Sequence, residues 1–183
     1  MRPSTVCPSA ILSRLGLICL VKDPMAPEGL FTPSSAQEWL NMNTFGARCM
    51  GSGVVGPYSQ AMYGLRSGLE EDLSTDHEVS VTECKIQVAC AWIAHGGKPL
   101  LWWARENIGN LNVTVEDEAN YVEGGSLYHG NPTMCLQRWG FWMDRFEELG
   151  KEESGLSEEI RKSTLEIAQT MKTIERGMAN TLS

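Results

Sequence analysis

The chain has 183 residues, of which 42% are hydrophobic and 21% charged, and its formal net charge is −8. This composition is typical of one soluble globular domain and argues against a disordered or collagen-like chain. The negative charge also argues against a general nucleic-acid binder, because such a protein neutralises phosphates with lysine and arginine. No run of eighteen apolar residues is present, so we expect no membrane-spanning helix.

The cysteines and the first 33 residues predict an intracellular protein. The six cysteines are scattered without a C-x-x-C pair, which favours buried thiols in a reducing compartment over a zinc site or a disulfide scaffold. The apolar stretch 11–21 is interrupted by Arg14 and lacks a cleavage site, so residues 1–33 are predicted to be an irregular leader and not an export signal. We expect a cytoplasmic rather than a nuclear location, with no metal and no cofactor.

Two helices are predicted before the first acidic run. Ser35 with Glu38 three residues later forms a capping-box pattern, which predicts a helix from Ser34–Ser35 to about Met50. Pro57 suits a first helical position, and apolar residues follow it at spacings of three and four. This second helix is predicted to end in the acidic stretch 67–84, whose carboxylates we interpret as a solvated loop.

The third predicted helix is the most buried one. Ser80 with Glu83 forms another capping-box pattern, and a broad apolar stripe follows it as far as Ile108. Pro99 removes one amide and clashes with the carbonyl group of His95, so we predict a kink or a break between residues 95 and 99. Residues 109–132 lack a helical period and are predicted to form a long ordered loop, a kind of segment that often carries function.

The last two predicted helices form a hairpin. Thr133 is predicted to cap a helix with a narrow apolar seam, and Ser157 to cap a helix with a seam of the same spacing. Because the connection between them is short and contains Gly150 and Gly155, an antiparallel pair is expected. The sequence therefore predicts an all-α fold, a single-domain bundle of about five helices over residues 34–180, with a kinked central helix and one long ordered loop.

The stretch Gly51-Ser52-Gly53-Val54-Val55-Gly56 matches the G-x-G-x-x-G pattern of dinucleotide-binding folds. That chemistry requires a strand before the glycines, so that pyrophosphate meets the start of the following helix. Here a predicted helix precedes them. We therefore interpret the stretch as a helix–helix turn, and no nucleotide cofactor is expected.

The binding candidates come from the long loop and from two arginines near tryptophan pairs. His129 lies in a glycine-rich segment close to Glu123 and Tyr128, although the esterase pattern G-x-S-x-G fails because Tyr128 occupies the place of its second glycine. Arg105 follows Trp102-Trp103, and Arg138 precedes Trp139-x-x-Trp142, so that either guanidinium could stack on a ring. The tryptophans themselves are predicted to fill the core, with a ligand cage as the alternative. No catalytic residue is assigned.

Several short blocks resemble, in order, a fungal family known as domain of unknown function 3632. They are Q-E-W-L-N-x-N-x-F-x-A-R at 37–48, Y-G-L-R-x-x-L-E at 63–70, A-W-I at 91–93 with W-A-R at 103–105, L-Y-H-G at 127–130 and Q-R-W-x-F-W at 137–142. The resemblance extends over about residues 37–178. It implies an α-helical intracellular protein of fungal origin with no established activity, and no catalytic residues that could be transferred.

Three functional hypotheses are compatible with these observations. A non-catalytic interaction or scaffold protein with a protein partner is favoured, because no nucleophile, base and orienting group emerge together. The alternative is a small accessory enzyme of fungal metabolism that uses the 109–132 loop, with His129, Glu123 and Arg138 converging. The third is a carrier of an apolar small molecule, which would require a closed apolar cavity between the tryptophan-bearing helices. The sequence does not indicate an oligomeric state.

Overall fold

The computed structural model describes residues 32–53, 58–75, 78–106 and 123–179. In these ranges the chain forms five α-helices and no β-strand, which confirms the prediction of an all-α single domain. The helices are α1 Pro33–Gly51, α2 Tyr58–Leu69, α3 Val79–Glu106, α4 Leu136–Leu149 and α5 Glu158–Ala179. The predicted leader, apart from its last two residues, and the first part of the predicted loop, 109–122, lie outside the described residues.

The start of α1 differs from the predicted one. Thr32 precedes the helix, and its hydroxyl oxygen accepts a hydrogen bond from the Ser35 amide at 3.1 Å, while the Ser35 hydroxyl accepts one from the Thr32 amide at 2.9 Å. Ser35 is thus the second member of the capping box, and its predicted pairing with Glu38 is wrong. The reason is that Pro33 suits the first helical position, where no amide is needed, so the helix begins two residues before Ser35.

Helix α3 is the centre of the bundle and contacts α1, α2 and α5. It runs through Pro99 without interruption, so the predicted break is wrong, while the predicted kink is not tested and stays a prediction. Leu100 and Leu101, directly after the proline, are fully buried. Their burial by the surrounding helices offsets the cost of about 3 kcal/mol that an internal proline imposes on a helix.

The second predicted capping box is also wrong. Ser80 already lies inside α3, which begins at Val79. The Glu83 carboxylate accepts a hydrogen bond at 2.8 Å from the backbone amide of Ser157, the residue that precedes α5. Glu83 therefore connects the amino-terminal part of α3 to the start of α5, a contact between residues far apart in the chain that no local pattern could indicate.

Contacts along α3 define the direction of its neighbours. In α1, Ala36 lies beside Cys84, and the Asn43 side chain accepts a hydrogen bond from the indole of Trp92 at 2.9 Å, so α1 runs parallel to α3. In α2, Tyr58 packs against Trp103 with ring centroids 4.6 Å apart, whereas Gly68 approaches the Lys85 backbone. Helix α2 is therefore antiparallel to α3.

Three tryptophans fill the core between these helices. Trp92, Trp139 and Trp142 are fully buried, and they are among the largest buried side chains of the described residues. This confirms the prediction that these rings pack in the core. Trp103 also packs, against Tyr58, but its neighbour Trp102 is 48% exposed, so the prediction of a core position is wrong for Trp102.

The hairpin of α4 and α5 is confirmed. Lys172 forms an ion pair with Glu147, and Leu165 lies against Gly150, an order of contacts that only antiparallel helices produce. Thr133, however, does not cap α4. The helix is preceded by Cys135, and the Thr133 amide and hydroxyl both donate to the side chain of Asn131 in a local turn.

The glycine pattern at the end of α1 has a packing role. Gly51 is the last residue of α1, as expected for a helix–helix turn, and positions 54–56 lie outside the described residues. A Cβ atom at Gly51 would lie 2.0 Å from the carbonyl oxygen of His95, so glycine allows the end of α1 to approach the α3 backbone. The adjoining Gly53 has a φ of 78°, which accommodates the turn.

We expect Gly68→Ala to destabilise the protein and Gly140→Ala to stabilise it. A Cβ at Gly68 would lie 2.6 Å from the carbonyl oxygen of Lys85, whereas one at Gly140 would meet nothing within 4 Å. Overpacking should lower the free energy of unfolding by about 1–3 kcal/mol for Gly68→Ala. The better helix propensity of alanine should raise it by up to about 1 kcal/mol for Gly140→Ala. Urea unfolding of both variants measures this, and effects of the same sign would contradict the close approach of α2 and α3.

Among the helices that the structure describes, none combines the length and the apolar composition needed to cross a lipid bilayer.

Candidate functional site

The main polar cluster of the bundle is centred on Glu70, the residue that follows the last turn of α2. Its side chain is fully buried, although the surrounding acidic stretch was predicted to be solvated. Its neighbours differ from it: Glu71 is partly exposed and paired with Arg66, and Asp72 is exposed. The prediction of a solvated carboxylate is therefore wrong for Glu70, because the chain turns inward there towards α4.

Arg138, in the first turn of α4, holds both oxygens of the Glu70 carboxylate. Its Nε donates to Oε1 at 2.6 Å and its Nη2 donates to Oε2 at 2.8 Å, and both side chains are fully buried. The carboxylate also accepts the indole N–H of Trp142 at 2.6 Å and the backbone amide of Gly125 at 3.0 Å. Four donors thus surround one carboxylate, which offsets the cost of removing its charge from water.

The remaining donors of Arg138 bind the loop that precedes α4. Its Nη1 donates to the carbonyl oxygen of Pro132 at 2.7 Å, and its Nη2 donates to that of Glu123 at 3.2 Å. The guanidinium carbon lies 5.2 Å from the ring centre of Tyr128 and 5.9 Å from that of Trp142, within the range of cation–π contacts. Every nitrogen of the guanidinium is therefore in use inside the protein.

Residues 123–135 are joined to the turn after α2 by further hydrogen bonds. The Leu127 amide donates to the Glu70 carbonyl at 2.7 Å, the Ser126 amide to the Glu71 carboxylate at 3.1 Å, and the Asp72 amide to the Ser126 hydroxyl at 2.9 Å. Gly125 is required at the centre of this contact, since a Cβ there would lie 2.6 Å from the Glu70 carbonyl oxygen. The described part of the predicted loop is ordered by these bonds.

The five predicted binding residues are only partly brought together. Arg138 and Tyr128 are buried in the cluster, but Glu123 reaches it through its backbone carbonyl and leaves its side chain exposed. His129 is exposed. Arg105 belongs to the last turn of α3, next to the start of α2, whereas Glu70 follows the end of α2, so Arg105 is not part of the cluster.

Tyr128 packs as a structural side chain. Its ring lies 5.1 Å from that of Phe141, and its hydroxyl group contacts the Cys135 sulfur at 3.8 Å. Burial raises the pKa of the Tyr128 hydroxyl well above its usual range, and the contact with Cys135 adds to this. The phenol therefore stays protonated at neutral pH and does not serve as a base.

The described residues do not assemble the groups that acid–base or nucleophilic catalysis needs. The Glu70 carboxylate and the Arg138 guanidinium are saturated by each other and by the loop, and the exposed imidazole of His129 has neither as a partner. Burial raises the pKa of the Cys90 thiol to about 12, so it is no nucleophile at neutral pH. Within the described ranges, no three His, Cys, Asp or Glu side chains lie close enough to hold a metal ion.

A groove of about 570 Å³ lies at the end of the bundle, between the turn after α2 and the turn before α5. It is lined by several charged side chains, Asp72, Arg145, Glu148, Lys151 and Glu153. Arg145 donates to Glu148 at 2.6 Å, and hydrogen bonds from Ser74 hold the pKa of Asp72 below its usual value. Apolar side chains complete the lining, so the groove is mixed in character, unlike the closed apolar cavity that a carrier of an apolar molecule requires; they are Leu73, Val79, Leu149 and Leu156.

The contact of Arg138 with the Trp142 ring agrees with the predicted pairing of that arginine with a tryptophan, but Glu70 was not among the predicted binding residues. A signal was present in the two blocks Y-G-L-R-x-x-L-E and Q-R-W-x-F-W, which contain Glu70, Arg138 and Trp142. Neither block indicates that the two blocks would be in contact. Glu70 is separated along the chain by 68 residues from Arg138 and by 72 residues from Trp142.

A comparison with protein families supports the resemblance noted in the sequence. The model of a family described as "Protein of unknown function (DUF3632)" matches residues 17–146, a range that contains the whole Glu70–Arg138–Trp142 cluster. The match begins within the predicted leader and ends within α4. No curated protein and no solved structure matches the chain. The fungal origin stays a prediction.

Proposed function

The chain belongs to the DUF3632 family of proteins of unknown function, and we propose that it is a non-catalytic protein-interaction module. The proposal rests on one observation, that the buried charged groups form their hydrogen bonds inside the protein. Glu70 and Arg138, the side chains best placed to form a polar site, are fully buried and satisfied by hydrogen bonds within the protein. Such a cluster stabilises a fold and leaves no group for a substrate.

The surface of α3 supplies a suitable contact for a partner. Trp102 exposes 48% of its side chain, in contrast to Trp103, which packs against Tyr58. Tryptophan and arginine are enriched among the residues that contribute most to protein–protein binding, and Arg105 lies one turn after Trp102. We infer that Trp102 is the centre of the interaction surface.

The proposal also includes the location and the classes of partner. The described cysteines, Cys49, Cys84, Cys90 and Cys135, are free thiols, which favours a cytoplasmic protein. The acidic balance of the chain favours a protein partner over nucleic acid or a membrane surface. If the protein were an accessory enzyme, its catalytic groups would have to lie outside the described residues.

We expect Trp102→Ala to abolish partner capture while Phe45→Ala leaves it unchanged. Phe45 is the matched control, because it is another aromatic side chain with 55% exposure but lies on α1. The wild type and both variants, tagged and expressed in cells of the source organism, would be purified with their bound proteins and compared by quantitative mass spectrometry. A set of proteins lost only with Trp102→Ala supports the proposal, and identical sets from all three proteins would overturn it.

A further inference from the structure

We propose that the face of α3 formed by Lys98, Trp102 and Arg105, here called the Trp102 face, binds an acidic segment of a partner protein. The inference rests on the proposed function and adds the chemistry of the partner. The three residues are spaced four and three positions apart within one helix, which places them on the same side of it. Lys98 is exposed and Arg105 half-buried, so both charges reach the surface beside the exposed ring.

The charges of the Trp102 face are not neutralised within the described part of the chain. Lys98 and Arg105 form no ion pair there, whereas Arg138, Arg145 and Lys172 each pair with a glutamate. Within the described residues, these two cations without ion pairs lie on either side of an exposed tryptophan, an arrangement complementary to negative charge supplied from outside.

The spacing of the face indicates how such a segment would lie. Lys98 and Arg105 are separated by about 10 Å along the helix axis, at 1.5 Å per residue. A segment in the polyproline II conformation has three residues per turn and covers about 9 Å in three residues, so two acidic residues three positions apart lie on the same side and would each meet one cation. The Trp102 ring between them would then contact an apolar side chain. Glu106 borders the face one turn after Trp102 and disfavours further acids on that side.

A protein segment fits this surface better than nucleic acid does. Binding to a phosphate backbone depends on many lysine and arginine contacts. The Trp102 face supplies only Lys98 and Arg105, next to Glu106. A short acidic segment with one apolar residue needs no more than these two cations and one aromatic ring.

The test measures binding of short fluorescent peptides by anisotropy. The probe contains two glutamates three positions apart with a leucine between them, and the control peptide has lysines in place of the glutamates. A single-stranded oligonucleotide is the third ligand. The proteins are the full-length wild type, Trp102→Ala, the double variant Lys98→Glu with Arg105→Glu, and Phe45→Ala as the control. Far-ultraviolet circular dichroism confirms that each variant is folded.

The acidic peptide should bind the wild type and Phe45→Ala equally, and about ten-fold or more weakly to Trp102→Ala. Binding to the charge-reversed variant should also be lost, and added salt should weaken binding to the wild type. The inference is overturned if the lysine peptide or the oligonucleotide binds as well as the acidic peptide, or if charge reversal has no effect. If Trp102→Ala loses its cellular partners but the charge-reversed variant keeps them, the interaction module stands and the acidic partner is wrong.

Discussion

Replacing Arg138 with methionine is expected to lower the free energy of unfolding by about 3–5 kcal/mol, because it leaves the buried Glu70 carboxylate without its cation. For a protein of this size, each kcal/mol changes the melting temperature by about 2–4 °C, so the midpoint should fall by roughly 10 °C. Thermal unfolding followed by circular dichroism at 222 nm measures the change. The variant should remain helical at low temperature, since the helices have their own apolar seams.

Two comparisons make this experiment specific to the buried pair. Lys172→Gln breaks the ion pair with Glu147, whose members are both partly exposed, and should change stability by no more than about 1 kcal/mol. Glu70→Gln combined with Arg138→Met removes both charges, so the double variant should lose less stability than the sum of the two single variants. If Arg138→Met proves as mild as Lys172→Gln, the cluster does not stabilise the fold, and its groups are available for another purpose.

Trp142→Phe is expected to lower the free energy of unfolding by about 2–4 kcal/mol, and considerably more than Trp139→Phe does. Both rings are fully buried in α4, so both substitutions remove a similar volume from the core. The indole N–H of Trp142 donates to the Glu70 carboxylate at 2.6 Å, whereas that of Trp139 is buried and has no hydrogen-bond partner among the described residues.

The comparison of the two phenylalanine variants isolates that hydrogen bond. Removing the N–H of Trp142 leaves a carboxylate oxygen with one donor fewer, while removing that of Trp139 eliminates a buried unpaired donor, a group that costs about 1–3 kcal/mol. Urea unfolding of both variants gives the difference directly. Equal losses of stability would mean that the bond between Trp142 and Glu70 contributes nothing.

Helices α4 and α5 show what the local spacing of apolar residues can predict. Their apolar residues recur every three or four positions, and the side chains so spaced, such as Trp139, Phe146, Ile160 and Ile167, are buried in the structure. The hairpin followed from the short connection between the two seams. The burial depends on the periodicity of the helix and the hairpin on the length of one connection, which is why both could be predicted before any contact between helices was known.

The helix starts show where a local pattern fails. A hydroxyl or carboxylate three residues before or after a candidate cap recurs in many sequences, and the pattern does not state which pair will form. The capping box forms between Thr32 and Ser35 and not between Ser35 and Glu38. The Glu83 carboxylate accepts a hydrogen bond from the amide of the distant Ser157. The choice depended on where the flanking chain and the neighbouring helix lie.

Glu70 and Arg105 illustrate the same division for the candidate site. Glu70 lies in an acidic run that resembled a solvated loop, yet its side chain is the most buried carboxylate of the described residues. Arg105 was grouped with Arg138 because each lies next to tryptophans in the sequence, yet the structure places the two arginines in different parts of the bundle. The type of a residue states what it can bind, but not which partner the folded chain brings to it.

The amino-acid order alone therefore determined the helical class, the antiparallel pair at the carboxyl-terminal end and the burial of most tryptophan rings, because each depends on spacing along one helix or on a short connection. Only the packing of the helices decided that Glu70, Arg138 and Trp142 meet, that α3 continues through Pro99 and that Trp102 faces outward. Those outcomes depend on contacts between segments many residues apart, whose energies are set by the assembled core and not by neighbours in the chain.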